Sequence, residues 1–389
     1  MSETPVPHGE VRVDLTAIRD NVAELRARAG SAAVMAIVKA DGYGHGLVPA
    51  AHAARAGGAT WLGTAVLTEA LQLRAAGIDG RLLAWLAAPG ERWDDAITND
   101  IDVSASATWT VTEIVAAAKA TGRPARLHLK VDTGLGRAGA PAADWPGLVD
   151  AAGKAQADGL VTVVGLWSHF AIADAPGHPS VARQLDAFRE AVQLAESRGI
   201  RPEVRHLANS AALLSRLDSH FDLVRPGLAI YGLSPIPDQA GPAELGLRPA
   251  MSVRAQLALV KRVPPGQGVS YGHFYVTGRE TTLGLVPLGY ADGIPRHGSS
   301  GDGGPGAPVL AAGRIRPVAG RVCMDQFVLD LGESPAAAGD EVVLFGDAAA
   351  GQPTAEDWAQ ACRTISYEIV SRFAPRLPRT YVGGPEVGL

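Results

Sequence analysis

The chain has 389 residues, enough for two or three ordinary domains or for one α/β barrel with a smaller companion. With 47% hydrophobic and 19% charged residues it can bury a large core, which excludes a disordered chain. The 35 basic and 40 acidic side chains give a net charge of −5 with no basic stripe, which argues against nucleic-acid and membrane-surface partners. Cys323 and Cys362 are too few for a disulfide framework and read as cytosolic thiols. The opening MSETPVPHGE lacks the basic-then-apolar order of a secretory signal. No run of about 18 apolar residues is present, so the expected location is the cytoplasm.

From Val11 to about Glu244, short apolar runs alternate with longer helical patterns. In the first helical pattern Leu15, Ile18, Val22 and Leu25 recur at helical spacing. The expected strands follow as Val34–Lys39, Trp61–Ala65, Arg81–Leu86, Asp102–Ser106, Arg126–Asp132, Val163–Phe170, Val204–Ser210 and Asp222–Tyr231. Between the sixth and seventh, Val181, Leu185, Phe188, Val192 and Leu194 mark another helix. Eight near-continuously apolar strands, each followed by a helix, predict a (β/α)8 TIM-like barrel over residues 14–244. A doubly wound sheet competes, but it wants a Gly-x-Gly-x-x-Gly turn after the first strand, and none is there.

From about Leu245 the pattern changes. Ser252–Val263, Thr281–Leu288 and Val309–Val322 are β-type runs separated by Gly/Pro turns, and a helical pattern returns only at Ala355–Arg363. Residues 245–389 therefore read as a mostly antiparallel β domain, with 1–13 as a tail and a candidate strand joining it. The run Ser299–Pro308 reads as a solvent-exposed, mobile loop.

In a barrel, chemistry gathers where strands end at the C-terminal face. Lys39 closes the first strand, and partial burial there lowers an amine's proton affinity and yields the neutral nucleophile a Schiff base needs. A lysine that merely snorkels from a strand end fits the same position. Tyr43 follows between glycines, which allow close backbone approach to a ligand. Strand five ends in Lys130 and Asp132 before Thr-Gly-Leu-Gly-Arg137. Strand six ends in His169, strand seven in Asn209-Ser210, and strand eight carries Arg225 before Pro226-Gly227-Leu228. The last two strands of a barrel commonly cradle phosphate. Ser210 and the backbone near Gly227 suit that role, although an N-cap and a plain turn account for each taken singly. Arg225, flanked by apolar residues, needs a partner, structural or functional. In the second half Tyr271 and Tyr290 sit beside glycines, and Cys323-Met324-Asp325 ends a strand.

Together these segments resemble those of the alanine racemases. Ala-Ile-Val-Lys39-Ala-Asp-Gly-Tyr-Gly-His-Gly looks like the cofactor-lysine signature of that family. His-Leu-Lys130-Val-Asp-Thr-Gly-Leu-Gly-Arg137, Ser-His169-Phe, Ala-Asn-Ser210, Val-Arg225-Pro-Gly, Val-Ser-Tyr271-Gly, Gly-Tyr290-Ala-Asp-Gly, Cys323-Met-Asp325 and Ile-Ser-Tyr367-Glu follow in family order across nearly the whole chain. Pro226 and Leu135 depart mildly from the family pattern.

The resemblance implies pyridoxal 5'-phosphate on Lys39. Tyr43, Ser210, Tyr367, Gly227 and Leu228 would hold its phosphate, Asn209 would adjoin it, and Arg225 would face its pyridine nitrogen. Lys39 would serve as base for D-alanine and Tyr271 of a second subunit as base for L-alanine, with His169 linking Tyr271 to Arg225. Arg137 would reach the cofactor's phenolic oxygen and, with Met324, the substrate carboxylate. Lys130 matches a lysine that is often carbamylated. Asp174, Tyr290, Arg296 and Arg321 match residues of the entry corridor. The resemblance also implies a head-to-tail homodimer with shared sites, L- and D-alanine as substrates, no resident metal, and a role in supplying D-alanine to peptidoglycan.

Three rivals remain at this level. A decarboxylase of the same fold type carries a different Cys/Asp motif. A barrel metal hydrolase needs a His-x-His after the first strand, whereas here only His169 and His206 are suitably placed. A non-catalytic pyridoxal-phosphate carrier would resemble the barrel alone.

Overall fold

The computed structural model describes residues 8–301 and 304–384. It divides into two compact units. The first comprises Ile18–Gly42 and Leu47–Leu247, the second residues 8–17, Tyr43–Gly46 and Arg248–Gly384.

The second unit opens with strand β1 (Gly9–Asp14), in which Val11 and Val13 are buried and Glu10 and Arg12 only half-buried, the alternation of a one-sided strand. The first unit is built on eight parallel strands: β2 (Ala33–Ile37), β3 (Trp61–Thr64), β4 (Arg81–Ala84), β5 (Asp102–Ala105), β6 (Ala125–Lys130), β7 (Val161–Trp167), β8 (Val204–His206) and β9 (Leu223–Val224). Each of β2 to β7 hydrogen-bonds to the next, and β9 returns to β2. Between β8 and β9 the ring closes through Asp222 N–H to the Arg205 carbonyl (3.1 Å) and Arg225 N–H to the Ala208 carbonyl (2.9 Å). Helices such as Thr108–Thr121, Trp145–Ala157 and Pro179–Ser197 lie between the strands, as parallel pairing requires, and Leu15–Arg28 precedes the first of them. In Pro179–Ser197 the buried stripe is Val181, Leu185, Phe188 and Val192; Ala195, rather than the half-buried Leu194, completes it. The architecture is a TIM-like barrel, as the alternation of apolar runs predicts.

All eight strands are shorter than the apolar runs that announced them. The largest correction falls on Asp222–Tyr231. Only Leu223–Val224 is strand, and Leu228–Tyr231 is a 3-10 turn. Pro226 has no N–H for a ladder, and its carbonyl instead accepts the Ile37 N–H (3.0 Å).

The remainder of the second unit is largely antiparallel. Its strands are β10 (Met251–Gln256), β11 (Leu259–Val263), β12 (Gly268–Val269), β13 (Tyr275–Val276), β14 (Thr281–Val286), β15 (Pro308–Ala311), β16 (Arg314–Pro317), β17 (Phe327–Gly332), β18 (Glu341–Phe345) and β19 (Arg379–Val382). A six-stranded sheet runs β16-β15-β18-β10-β1-β19, a three-stranded one β11-β14-β17, and β12 pairs with β13. Only the β1–β19 pair is parallel. The run Ser252–Val263 is two strands in different sheets, broken at Leu257-Ala258, and Val309–Val322 holds the β15–β16 hairpin. Of the run Ser299–Pro308, residues 302–303 lie outside the described residues. The flanks are tied down rather than open: Ser299 Oγ accepts Val322 N–H (2.9 Å) and Ser300 Oγ accepts Gly320 N–H (2.7 Å).

Candidate active site

Lys39 stands at the C-terminal end of β2, where Val38 N–H still pairs with the Gly63 carbonyl (2.9 Å). The next residues leave the strand in a left-handed turn: Ala40, Asp41 and Gly42 have φ of 54°, 53° and 62°. Two non-glycine residues in that region cost on the order of 1 kcal/mol each, a strain the surroundings must hold. Asp41 does much of the holding. Its N–H donates to Glu69 Oε1 (3.0 Å), and its Oδ1 accepts Leu47 N–H (2.8 Å). The turn leaves the Lys39 ammonium over the Trp85 ring, 5.9 Å from its centroid. Burial, and then the Arg137 charge, lower the Lys39 pKa below the usual lysine value, against a raising effect of Glu69. This lysine has the electrostatics of a nucleophile.

Lys130 ends β6, and its ammonium lies 4.2 Å from the Trp167 centroid. Burial, Arg225 and Arg137 push it down to about 8. Asp132 accepts N–H groups of Gly134, Leu135 and Gly136 (2.9 to 3.2 Å), curling the Thr-Gly-Leu-Gly loop that presents the exposed Arg137.

Arg225, at the end of β9, is almost fully buried. One terminal nitrogen donates to His206 Nδ1 (3.1 Å). The other faces the Ser168 carbonyl (2.8 Å), the Leu207 carbonyl (3.1 Å) and His169 Nδ1 (3.2 Å). Burial brings the guanidinium down to about 9, still protonated at neutral pH. His169 and His206 are both held well below the ordinary histidine value, by burial first and the Arg225 charge second. Both imidazoles are therefore neutral and offer Arg225 a lone pair each.

Ser210 opens the short helix Ser210–Ser215, capped by Asn209 Oδ1 accepting Ala212 N–H (3.0 Å). The Ser210 hydroxyl oxygen collects the N–H groups of Gly227 (2.8 Å) and Ala229 (3.4 Å). The hydroxyl of one chain segment and the amides of another are thus brought together beside Leu228, polar groups of the kind that hold an anion.

In the second unit, Tyr43 and Tyr367 have ring centroids 6.1 Å apart. Burial and then Tyr367 raise the Tyr43 phenol above its usual range, so it remains a proton donor. Tyr271 occupies a strained turn: Ser270, Gly272 and His273 have φ of 62°, 75° and 47°. Ser270 Oγ pins the turn to the Arg321 carbonyl (2.7 Å), and Arg321 lies over Phe274 at 3.9 Å. The Tyr271 side chain is presented outward, 72% exposed. Tyr290 and Ala291 donate N–H to the Cys323 and Met324 carbonyls (3.0 and 2.9 Å), which fastens Tyr290 beside Met324; both side chains are exposed. A Cβ at Gly289 would lie 2.3 Å from the Met324 carbonyl oxygen, so the close approach requires glycine. Of the residues expected in the entry corridor, Asp174 is exposed in the barrel unit, with its carbonyl accepting from Gln239 (2.7 Å). Arg296 is exposed and Arg321 half-buried in the β unit.

Residues 13–235 match the family model described as alanine racemase, N-terminal domain, and residues 250–381 match alanine racemase, C-terminal domain. The chain belongs to the alanine racemase family. It is 60% identical to the alanine racemase of Frankia casuarinae over 95% of both chains, and 59% identical to that of Streptomyces coelicolor over 97% of this chain and 96% of the other. Its fold superposes on the crystal structure of the Streptomyces lavendulae alanine racemase with a TM-score of 0.96, at 60% identity and 99% coverage of each chain. On the Bacillus anthracis enzyme it gives 0.88 at 32% identity, covering 100% of this chain and 98% of that one. The chain is accordingly an enzyme, an amino-acid isomerase that racemises alanine.

Among alanine racemase residues legible beforehand, Lys39, Lys130, His169 and Arg225 gather at one end of the barrel. The charges of Arg225, Lys130 and Lys39 all add to burial in lowering the proton affinity of His169. Sequence reading passed over Asp102 and His128 and weighed His206 only as a metal ligand. The signal was available: Asp102, His128 and His206 are polar residues within the barrel strands β5, β6 and β8, and each is buried.

Proposed function

We propose that the chain interconverts L- and D-alanine with pyridoxal 5'-phosphate held on Lys39, using two bases on opposite faces of the substrate. The observation that carries this reading is the company Lys39 keeps: a half-buried amine of lowered proton affinity, a buried charged arginine, and a serine hydroxyl gathered with backbone amides, all at the C-terminal ends of β2, β8 and β9. When bound, pyridoxal phosphate supplies an electron sink that acidifies the substrate's Cα–H.

The chain's own residues fit that group. Lys39 supplies the amine. Ser210, the backbone at Gly227 and Leu228, and the phenols of Tyr43 and Tyr367 would hydrogen-bond the phosphate, with Asn209 ordering the helix start beneath it. Arg225, as a permanent donor, would face the pyridine nitrogen and keep it unprotonated. This tempers electron withdrawal and favours return of the proton over side reactions. Arg137 would hold the cofactor's phenolic oxygen and the substrate carboxylate, aided by the Met324 N–H. Lys39 would take or return the Cα proton of D-alanine and Tyr271 that of L-alanine, with His169 between Tyr271 and Arg225.

The outward placement of Tyr271 suits delivery to a second copy of the chain, so the working enzyme would be a head-to-tail homodimer with two shared sites. Tyr290, Met324, Asp174, Arg296 and Arg321 would line the approach. No described helix is long and apolar enough to cross a membrane. A cytoplasmic enzyme making D-alanine for bacterial peptidoglycan fits these features, with no nucleic acid, membrane or resident metal among its partners.

The decisive experiment incubates purified protein with each alanine enantiomer in deuterated water. The expected result is equal amounts of both enantiomers from either start, with deuterium at Cα. Enantiomers that persist unchanged in the presence of pyridoxal phosphate would sink the reading.

Lys130 is the candidate for carbamylation. At about 8 its amine has an appreciable neutral fraction at neutral pH, and a neutral amine is what adds to carbon dioxide. The resulting anion would sit among Arg225, Arg137 and Lys39 and stabilise their positive charges. Native mass spectrometry from bicarbonate buffer should show about one added carbon dioxide per chain, lost in Lys130→Ala; an unchanged mass in both refutes the modification.

A further inference from the structure

The barrel core carries a one-way chain of hydrogen bonds that ends on Arg225. Arg126 Nε donates to Asp102 Oδ1 at 2.6 Å, and its Nη2 reaches Oδ2 at 3.4 Å. Asp102 Oδ2 is 3.2 Å from His128 Nε2, His128 Nδ1 is 2.9 Å from His206 Nε2, and His206 Nδ1 is 3.1 Å from Arg225 Nη1. Asp102, His128 and His206 are buried to within about 1%. The chain is tightly caged. Trp167 stacks on His206 with rings 5° from parallel, Trp61 meets His128 edge-on, and a Cβ at Gly165 would lie 2.1 Å from His128 Nδ1.

Donor and acceptor arithmetic leaves this chain a single arrangement. A carboxylate only accepts, so His128 carries its proton on Nε2. Its Nδ1 is then a lone pair, which requires His206 to carry its proton on Nε2 and offer Nδ1 to the guanidinium. A second proton on His128 would turn His206 around and set an N–H against an Arg225 N–H. Among the described residues the hydrogen-bond partners of Arg225 are two carbonyls and two imidazoles, with no carboxylate. We propose that Asp102, acting through His128 and His206, is a positioning residue for racemisation: it fixes the tautomers that hold Arg225 as an oriented, charged donor.

The role of Arg225 toward the cofactor rests on the proposed function above; the tautomers do not. Asp102→Asn is the informative variant because it exchanges one atom. Arg126 keeps the amide oxygen at the Oδ1 position, so the NH2 group takes the place of Oδ2 and confronts His128. Both imidazoles must then reverse. Ring 15N spectra of histidine-labelled enzyme, assigned with His128→Gln and His206→Gln, should show both rings protonated on Nε2 in wild type and on Nδ1 in Asp102→Asn. In the variant the absorbance band of bound cofactor should shift, and kcat should fall about tenfold to a hundredfold while KM for alanine stays within about twofold, a range expected for one mis-set supporting hydrogen bond.

The wild-type spectrum alone decides even if the variant does not fold, since His206 protonated on Nδ1 overturns the chain. Reversed rings with unchanged kcat and absorbance overturn the positioning role, as does a fall in kcat without reversal. Wild type that racemises nothing overturns the underlying reading and the role with it; wild type that racemises with the opposite tautomers overturns the chain alone.

Discussion

Lys39→Ala is expected to abolish the yellow absorbance of the purified protein and to lower racemisation by about four orders of magnitude or more. On the proposed mechanism two functions are lost in one truncation: the covalent anchor for the cofactor and the base on one face of the substrate. General acid–base catalysis alone contributes about 10² to 10⁴-fold, and loss of a covalent catalyst adds to that. The turn after Lys39 is held by Asp41, through its bonds to Glu69 and Leu47, so the truncation should leave the backbone in place. Unfolding curves of the variant should therefore stay close to wild type. A variant that keeps the wild-type absorbance band and racemises alanine removes Lys39 from the mechanism, and with it the reading of the barrel end.

Tyr271→Phe should separate the two faces of the reaction. The substitution removes one oxygen from an exposed ring whose turn is pinned by Ser270 to Arg321, so shape is retained and only the proton carrier is lost. Loss of α-deuterium from labelled L-alanine should slow by about 10² to 10⁴-fold, while exchange from D-alanine, served by Lys39, persists. Overall racemisation then falls by the same factor, because in the proposed mechanism each turnover needs both bases. Deuterium loss from both enantiomers at wild-type rates would exclude Tyr271. Mixing this variant with Lys39→Ala adds a check on shared sites: in a dimer assembled from one of each, one of the two sites regains both bases and activity returns in part.

Much of the barrel was legible because a parallel strand buried on both faces must be apolar almost throughout, and eight such runs have few other uses. Their ends were not legible. Val204–Ser210 and Asp222–Tyr231 continue apolar beyond β8 and β9, and burial alone does not tell strand from the tight turns that carry Asn209, Ser210, Gly227 and Leu228. The break at Leu257-Ala258 hid for the same reason: Leu257 is buried although the chain there passes between sheets. Lys39, Arg225 and Tyr271 stood out as chemically costly residues in apolar or glycine-rich settings. Asp102, His128 and His206 are as costly, yet they lie on three strands and their mutual distances exist only after folding.

Strand β1 sits inside the six-stranded sheet, between β10 and β19, with its partners more than 230 positions later in the chain. During synthesis at about 5 to 20 residues per second, Val11 and Val13 must wait on the order of tens of seconds before Met251–Gln256 and then Arg379–Val382 leave the ribosome. Through that interval a strand with one apolar face has no native neighbour and is open to pairing with other nascent chains. Expression yield should accordingly depend on growth temperature and chaperone supply more than the stability of the finished enzyme would suggest. A fragment beginning at Arg248 would lack the strand that joins β10 to β19 and should not fold alone.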